Sequence, residues 1–187
     1  MQDDKQLMLN VQNGALNCLA PLFERYKVRL FNFFRRTGYA AEISEDLVQE
    51  TFMRVLAYRS SYQGESAFST WLYGIARNVG VDHYRRNKVS AQHESFDDDT
   101  ASSLPTLEED LLHHRQQAMF DQALSSIPHE HRELLVLSRF QQLKYEEIAK
   151  VTDCNLSTLK SRMVKAVELL QAAYQRLNCG HKVEEDK

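Results

Sequence analysis

Apolar residues recur along most of this chain at helical intervals, with no sustained alternation of the kind a half-buried strand requires. Between Leu7 and Thr37 two helical stretches flank Asn13-Gly14, and Leu19, Leu22, Phe23, Tyr26, Leu30, Phe33 and Phe34 predict a core-facing stripe. From Ile43 to Arg59 the stripe is Leu47, Val48, Phe52, Val55 and Leu56. Ser44 is placed to cap that helix, with Glu45 and Asp46 in the first turn, where negative charge favours the helix dipole. Asp46, Gln49, Glu50 and Met53 fall on its other side. Ser60 to Gly64 reads as a turn, after which Ser66 caps a helix to about Arg86 whose buried stripe is Phe68, Trp71, Leu72, Ile75, Ala76 and Val79. Tyr73, Arg77 and Tyr84 lie along the opposite side, flanked by Asn78, Asp82, Arg85 and Arg86.

The second half shows a different pattern. Pro128 suits the first turn of a helix carrying Leu134, Leu135, Leu137 and Phe140. Tyr145 to Thr152, a turn at Asp153-Cys154-Asn155 and a long helix from Leu156 then form a helix-turn-helix, with Ala149 permitting close crossing and Asn155 or a neighbour capping the second helix. Leu159, Met163, Ala166, Val167 and Leu170 face inward on that helix; Thr158, Ser161, Arg162 and Lys165 face outward.

Composition agrees with helices. Of 187 residues only six are Gly and three Pro, too few turn residues for many short strands. The net charge of −3 conceals an uneven distribution: residues 1–90 carry +3, 91–112 carry −7 and 113–187 carry +1. The acidic middle is rich in Ser, Thr and carboxylates and poor in apolar groups, so burial cannot offset its ordering entropy. The expected architecture is all-α: two small helical domains, 1–90 and 113–178, joined by a flexible acidic linker, 91–112, with a polar tail at 179–187. No apolar run exceeds the four residues of Leu134 to Leu137, against about 20 for a membrane-spanning helix. The acidic start of the chain lacks the pattern of a secretory signal, which predicts a cytoplasmic protein. Cys18, Cys154 and Cys179 are too far apart for a zinc-ligand spacing.

Two surfaces carry candidate chemistry. Exposed tyrosines alternating with arginines suit single-stranded nucleic acid, since rings stack on unpaired bases and guanidinium groups pair with phosphates. The bland alternative is that each Tyr completes the core with its hydroxyl in water. The outward Ser, Thr, Arg and Lys side chains of the helix-turn-helix are the types that read base edges in the major groove, although a plain helical hairpin with a basic face has the same pattern. No nucleophile–base pair, phosphate loop or metal cluster is visible, so neither catalysis nor a cofactor is expected. Asp46 and Glu50, one turn apart, lack the third ligand a divalent metal needs. His113-His114, His129 with His131, and Cys179-Gly180-His181 are each too small to be a metal site.

Asp46-Leu-Val-Gln-Glu-Thr-Phe52, Phe68-Ser-Thr-Trp-Leu-Tyr-Gly-Ile-Ala-Arg-Asn78 with Asp82 and Arg85-Arg86, Tyr145-Glu-Glu-Ile-Ala149 and Thr158-Leu-Lys-Ser-Arg162 resemble, in that order, bacterial sigma factors of the extracytoplasmic-function group. The resemblance spans nearly the whole chain, and the tryptophan-containing helix is its most specific part. It implies a promoter-specificity subunit that binds core RNA polymerase through Asp46, Gln49, Glu50, Met53 and Arg54. It further implies that Tyr62, Gln63, Gly64, Glu65 and Ser66, with Tyr73, Arg77, Asn78, Tyr84, Arg85 and Arg86, read and open the minus-ten promoter element. Ser157, Thr158, Lys160, Ser161, Arg162 and Lys165 would read the minus-thirty-five element, and an anti-sigma factor would hold the protein in check during a stress or envelope response. Gln142 and Lys144 stand where the family often has Gly and a capping Ser or Thr, and Ser157 where it often has Gly. The short N-terminus leaves no room for the autoinhibitory extension of housekeeping sigma factors. Two readings from other classes are a stand-alone helix-turn-helix regulator with a helical sensing domain and a metal-dependent nucleic-acid hydrolase using Asp46 and Glu50.

Overall fold

The computed structural model describes residues 3–90 and 108–182, without the side chains of 88–90, 108–115 and 179–182. All the regular structure it describes is helical: α1 (Asp4–Gln12), α2 (Leu19–Thr37), α3 (Ala41–Ala57), α4 (Phe68–Ser90), α5 (Glu108–Ser126), α6 (His129–Leu135), α7 (Tyr145–Val151) and α8 (Leu156–Lys182). As the hydrophobic pattern predicts, the chain is all-α with two helical domains, the second containing a helix-turn-helix. None of the described helices is long and apolar enough to cross a membrane.

In the first domain α3 packs between α2 and α4, and α1 lies against α2. Leu22, Leu30 and Phe34 of α2 meet Leu47 and Val55 of α3 and Leu72, Ala76 and Val79 of α4 in a core closed to solvent. Aromatic edges organise its rim: Phe23 meets Phe52 at 5.0 Å between centroids, and Tyr26 meets Phe68 at 5.4 Å. α2 stops at Gly38, whose φ of 111° is a left-handed conformation that favours glycine; its N–H donates to the Arg35 carbonyl and that of Tyr39 to Phe34.

Two expected helix starts move. α3 opens at Ala41 with Ala40 at the cap position, so Ser44 lies inside the helix, buried, its hydroxyl donating to the Ala40 carbonyl at 2.8 Å. The Ser44 N–H already donates to the Ala40 carbonyl at 2.8 Å, so the residue lies in the first turn, and its buried hydroxyl is satisfied by bonding back to the same carbonyl. α4 opens at Phe68, beyond Ser66, and runs past Arg86 to Ser90. The Ser66 carbonyl instead receives the Tyr62 hydroxyl at 3.2 Å.

In the second domain α8 packs against α5, α6 and α7. α6 follows Pro128, which occupies the cap position, and passes at Val136 into a wider π turn that ends at Phe140. Leu134, Val136, Leu137, Ile148, Leu159, Met163 and Ala166 form the core. Val167 was expected inside but is 39% exposed, because the buried stripe of α8 is narrower than its apolar one. Asn155 caps α8 as expected, its Oδ1 receiving the Thr158 N–H at 2.7 Å. Lys144 offers α7 no side-chain acceptor, yet half of a capping box survives: Glu147 Oε2 receives the Lys144 N–H at 2.8 Å. The backbone of α5 is helical from Glu108, inside the stretch expected to be linker, and α8 carries the expected tail as helix through Lys182. The linker expectation for 91–107 lies outside the described residues.

The two domains touch. α7 lies along α4, and α6 with the π turn lies on α2.

Candidate polymerase and promoter interfaces

The outer face of α3 is open. Asp46 and Gln49 are exposed, and Met53 is 65% exposed, a large apolar side chain among polar ones. Glu50 and Arg54 behave differently. Glu50 Oε1 accepts from Arg54 Nε at 2.8 Å, and Arg54 Nη1 reaches Asp82 Oδ2 on α4 at 2.6 Å. The hydrogen bond to Asp82, foremost, raises the Arg54 guanidinium above its ordinary value. Arg54 therefore braces α3 to α4. Among the described residues no three His, Cys, Asp or Glu side chains converge to hold a metal ion.

The turn before α4 is built around two inward residues. Tyr62, expected to face a DNA strand, is buried with its ring 5.2 Å from that of Trp71, because its hydroxyl is used to close the loop on Ser66. Gly64, at φ 69°, lies against α1, where a Cβ would come within 2.9 Å of Lys5 Cε. The left-handed backbone conformation favours glycine there, while the end of the Lys5 side chain could swing aside. Gln63 and Glu65 point outward, and Ser66 is half-buried.

α4 does not present the expected row of side chains. Asn78, Tyr84, Arg85 and Arg86 are exposed. Tyr73, however, is fully buried, its ring 5.4 Å from Phe33 and its hydroxyl donating to Gln141 Oε1 of the second domain. Burial pushes the Tyr73 phenol far above its ordinary value. Arg77 Nε donates to Glu133 Oε2 of α6 at 3.1 Å. Thr70, buried, donates from Oγ1 to Glu147 Oε1 of α7 at 3.0 Å. The expectation of an exposed Tyr73–Arg77 face fails because α4 is covered twice, once by its own domain and once by the other. An open groove remains beside it, lined by Arg54, Tyr58, Ile75, Arg77, Asn78, Val81, Asp82 and Arg85. Tyr58, half exposed at the end of α3, joins this basic groove and was missed in the sequence; its position beside Arg59 at a helix end was the available signal.

On α8 the expected outward set is outward. Ser157, Lys160, Ser161, Arg162 and Lys165 are exposed and Thr158 is half-buried, its N–H engaged by Asn155. Lys165 Nζ lies 3.4 Å from Glu168. This is the N-terminal half of the second helix of a helix-turn-helix, the part that enters a major groove in that motif.

Comparison with known proteins locates two family descriptions on these two domains: Sigma-70 region 2 matches residues 22–89, and Sigma-70 region 4 matches residues 117–170. The chain is 30% identical over 185 residues to the RNA polymerase sigma-H factor of Pseudomonas aeruginosa, covering 94% of this chain and 96% of that protein. This chain belongs to the extracytoplasmic-function sigma factors. The ECF RNA polymerase sigma-E factor of Haemophilus influenzae is 29% identical over 185 residues, covering 93% and 96% of the two chains. Among solved structures, CnrH in complex with the cytosolic domain of CnrY has the same fold with a TM-score of 0.69 at 21% identity over 92% of this chain and 97% of that one. The sigma factor RpoE in complex with the anti-sigma factor NepR from Bartonella quintana matches with a TM-score of 0.67 at 24% identity, over 84% and 96%. As a sigma factor the protein acts in transcription initiation with core RNA polymerase and promoter DNA. The sigma family is one of initiation factors that are not themselves enzymes.

Proposed function

We propose a division of labour in which the α3 face of this sigma factor docks on core polymerase, the turn at 62–66 and the outer side of α4 capture the minus-ten strand, and the α8 face reads the minus-thirty-five duplex. The domains would act as 1–90 and 113–178 with 91–112 between them, in the cytoplasm, without catalysis by this chain. The observation that carries the reading is the segregation of three chemically distinct surfaces on one chain. A polar face with an exposed methionine, an arginine–tyrosine groove and the outward Ser, Thr, Lys and Arg of a helix-turn-helix occupy separate places. Two solved structures of the same fold are complexes with the cytosolic domain of CnrY and the anti-sigma factor NepR, which supports control of this chain by a protein inhibitor as well.

In vitro transcription with purified core polymerase tests the reading. Promoter-dependent transcripts are expected; a chain that binds DNA but neither captures polymerase nor yields transcripts is a stand-alone regulator. Glu50→Lys is expected to weaken polymerase capture by about tenfold, the scale of one interface residue worth more than ~1 kcal/mol. Since Glu50 also holds Arg54, Glu50→Gln accompanies it. If Glu50→Lys folds and pulls down polymerase as well as wild type, α3 is not the docking face.

On the upstream duplex Arg162→Ala is the informative change. Loss of a bidentate base contact reduces affinity by about 1–3 kcal/mol and relaxes preference at one position, whereas loss of a phosphate contact weakens all sequences alike. Position-specific loss is expected in a selection from randomised duplex. A uniform loss demotes Arg162 to a backbone contact.

A further inference from the structure

α1 holds none of the residues assigned above to polymerase or DNA, yet it lies against the segment that leads into α4. From Tyr62 to Ala67 that segment belongs to no helix, so its shape is set by what it leans on. Gln12, the last residue of α1, donates from Nε2 to the Ser60 carbonyl at 3.1 Å, and Leu9 Cδ2 lies 3.8 Å from where a Gly64 Cβ would be. We infer that α1 is a positioning element for strand capture: through Gln12 and Leu9 it holds the turn at 60–66 in one shape, with Gln63 and Glu65 outward, before DNA arrives. The inference rests on the role proposed above for that turn and needs no contact between α1 and DNA.

A brace must itself be fixed, and α1 is. Leu7, Met8 and Val11 are buried beneath it. At its start Asp4 pairs with Arg25 of α2 and receives the Tyr26 hydroxyl at 2.6 Å. The Tyr26 ring packs edge-on against Phe68, the residue that follows the turn and opens α4, at 5.4 Å. Burial raises the Tyr62 phenol above its ordinary value, and the Asp3 and Asp4 carboxylates add to the rise, which sets the start of α1 beside the inward ring of the turn. The turn is therefore held from α1 on both sides: Gln12 bonds to Ser60 before it, and Asp4 acts through Tyr26 on Phe68 after it.

The Gln12 bond is poorly suited to a purely stabilising task. It lies at the surface, where water replaces a lost donor, so its removal leaves no buried group unsatisfied. What it fixes is the position of a backbone 48 residues further along the chain. A turn that samples several shapes binds a strand with its intrinsic affinity reduced by the fraction in the competent shape. Holding that shape in advance removes the reduction without any new contact to the strand.

The test uses the full chain as wild type, as Gln12→Met, which keeps the length and removes the donor, and as Gln12→Ala. A double variant of the turn itself, Gln63→Ala with Glu65→Ala, accompanies them. Amide hydrogen exchange followed by mass spectrometry reads the mobility of 60–66. Urea unfolding reads stability, and pull-down reads polymerase capture. Initiation with core polymerase is measured on a promoter selected from randomised duplex, once intact and once with its minus-ten element pre-opened. Both Gln12 variants are expected to exchange faster at 60–66 and to lose about fivefold in initiation on intact duplex, the scale of one neutral hydrogen bond. Unfolding midpoint and polymerase capture should stay at wild-type values, and the loss should be smaller on the pre-opened template. Exchange that stays at the wild-type rate overturns the inference, as does an initiation loss matched by a fall in stability or in polymerase capture. A loss equal on the two templates also overturns it. Faster exchange with full initiation, while the double variant of the turn is defective, removes the brace and leaves strand capture by the turn standing. A double variant that initiates like wild type sinks the role of the turn, and the inference with it. Should Gln12→Met fail to fold, Gln12→Ala carries the test alone.

Discussion

Phe68→Ala is expected to destabilise the first domain by about 3–5 kcal/mol and to remove initiation activity with it. Phe68 opens α4 and is 2% exposed, with its ring edge-on to Tyr26 at 5.4 Å, and with Tyr62 and Trp71 each at 6.1 Å. Truncation loses the transfer energy of the ring and leaves a cavity that three large neighbours, themselves fixed on α2, the turn and α4, cannot collapse to fill. Since a domain is stable by only about 5–15 kcal/mol, that is a large fraction of the whole. The functional consequence comes through Tyr62. With Phe68 gone its ring loses one wall, and the turn carrying Gln63, Glu65 and Ser66 is no longer held in one shape. Urea unfolding measures the first effect, and fluorescence of Trp71, the one tryptophan in the chain, reports the second. Phe68→Leu keeps most of the volume and is expected to recover most of the stability. A Phe68→Ala protein that unfolds at the wild-type midpoint would show that the ring cluster does not support the turn.

The apolar stripe that contains Phe68 was legible in the sequence because spacing alone fixes which side of a helix leaves water. What the spacing left open is the identity of the covering surface. Tyr73 and Thr70 lie off the apolar stripe of α4; Tyr73 packs on Phe33 of its own domain, and Gln141 after the π turn and Glu147 of α7 complete the cover over the two hydroxyls. Residues more than sixty positions away in sequence supply that cover, namely Gln141 and Glu147. No local pattern encodes such a pairing. Helix starts were misplaced for a related reason: Ser44 has capping chemistry, but α3 starts at Ala41 after the left-handed Gly38, and its cap residue is an alanine without a signal. The reverse happens at α7, where the family-like cap is absent from Lys144 and Glu147 supplies its complement. The outward set of α8 was readable except at half-buried Thr158, since its helix is long and regular and packs on helices of its own domain.

Tyr73 and Tyr84, read in the sequence as one row, are expected to separate under mutation. Tyr73→Ala is expected to destabilise the chain by about 3–5 kcal/mol, since a fully buried ring packed on Phe33 is removed. Its initiation defect should therefore be equal on duplex promoter and on a template carrying a pre-opened bubble, and polymerase capture should fall in step. Tyr73→Phe keeps the ring and loses only the bond to Gln141, about 1 kcal/mol, so it should fold, capture polymerase and initiate normally. Tyr84 is 54% exposed at the far end of α4, between the groove and Arg85-Arg86, and nothing in the first-domain core depends on it. Tyr84→Ala is expected to leave stability within about 0.5 kcal/mol of wild type. If its ring stacks on an unpaired base, its loss removes roughly 1–3 kcal/mol from the binding that must offset unstacking of the duplex. The defect then appears on duplex promoter and is largely relieved on the pre-opened bubble, where that unstacking has already been done. A Tyr84→Ala protein as defective on the bubble as on duplex, with normal stability, would place Tyr84 in a step other than strand opening.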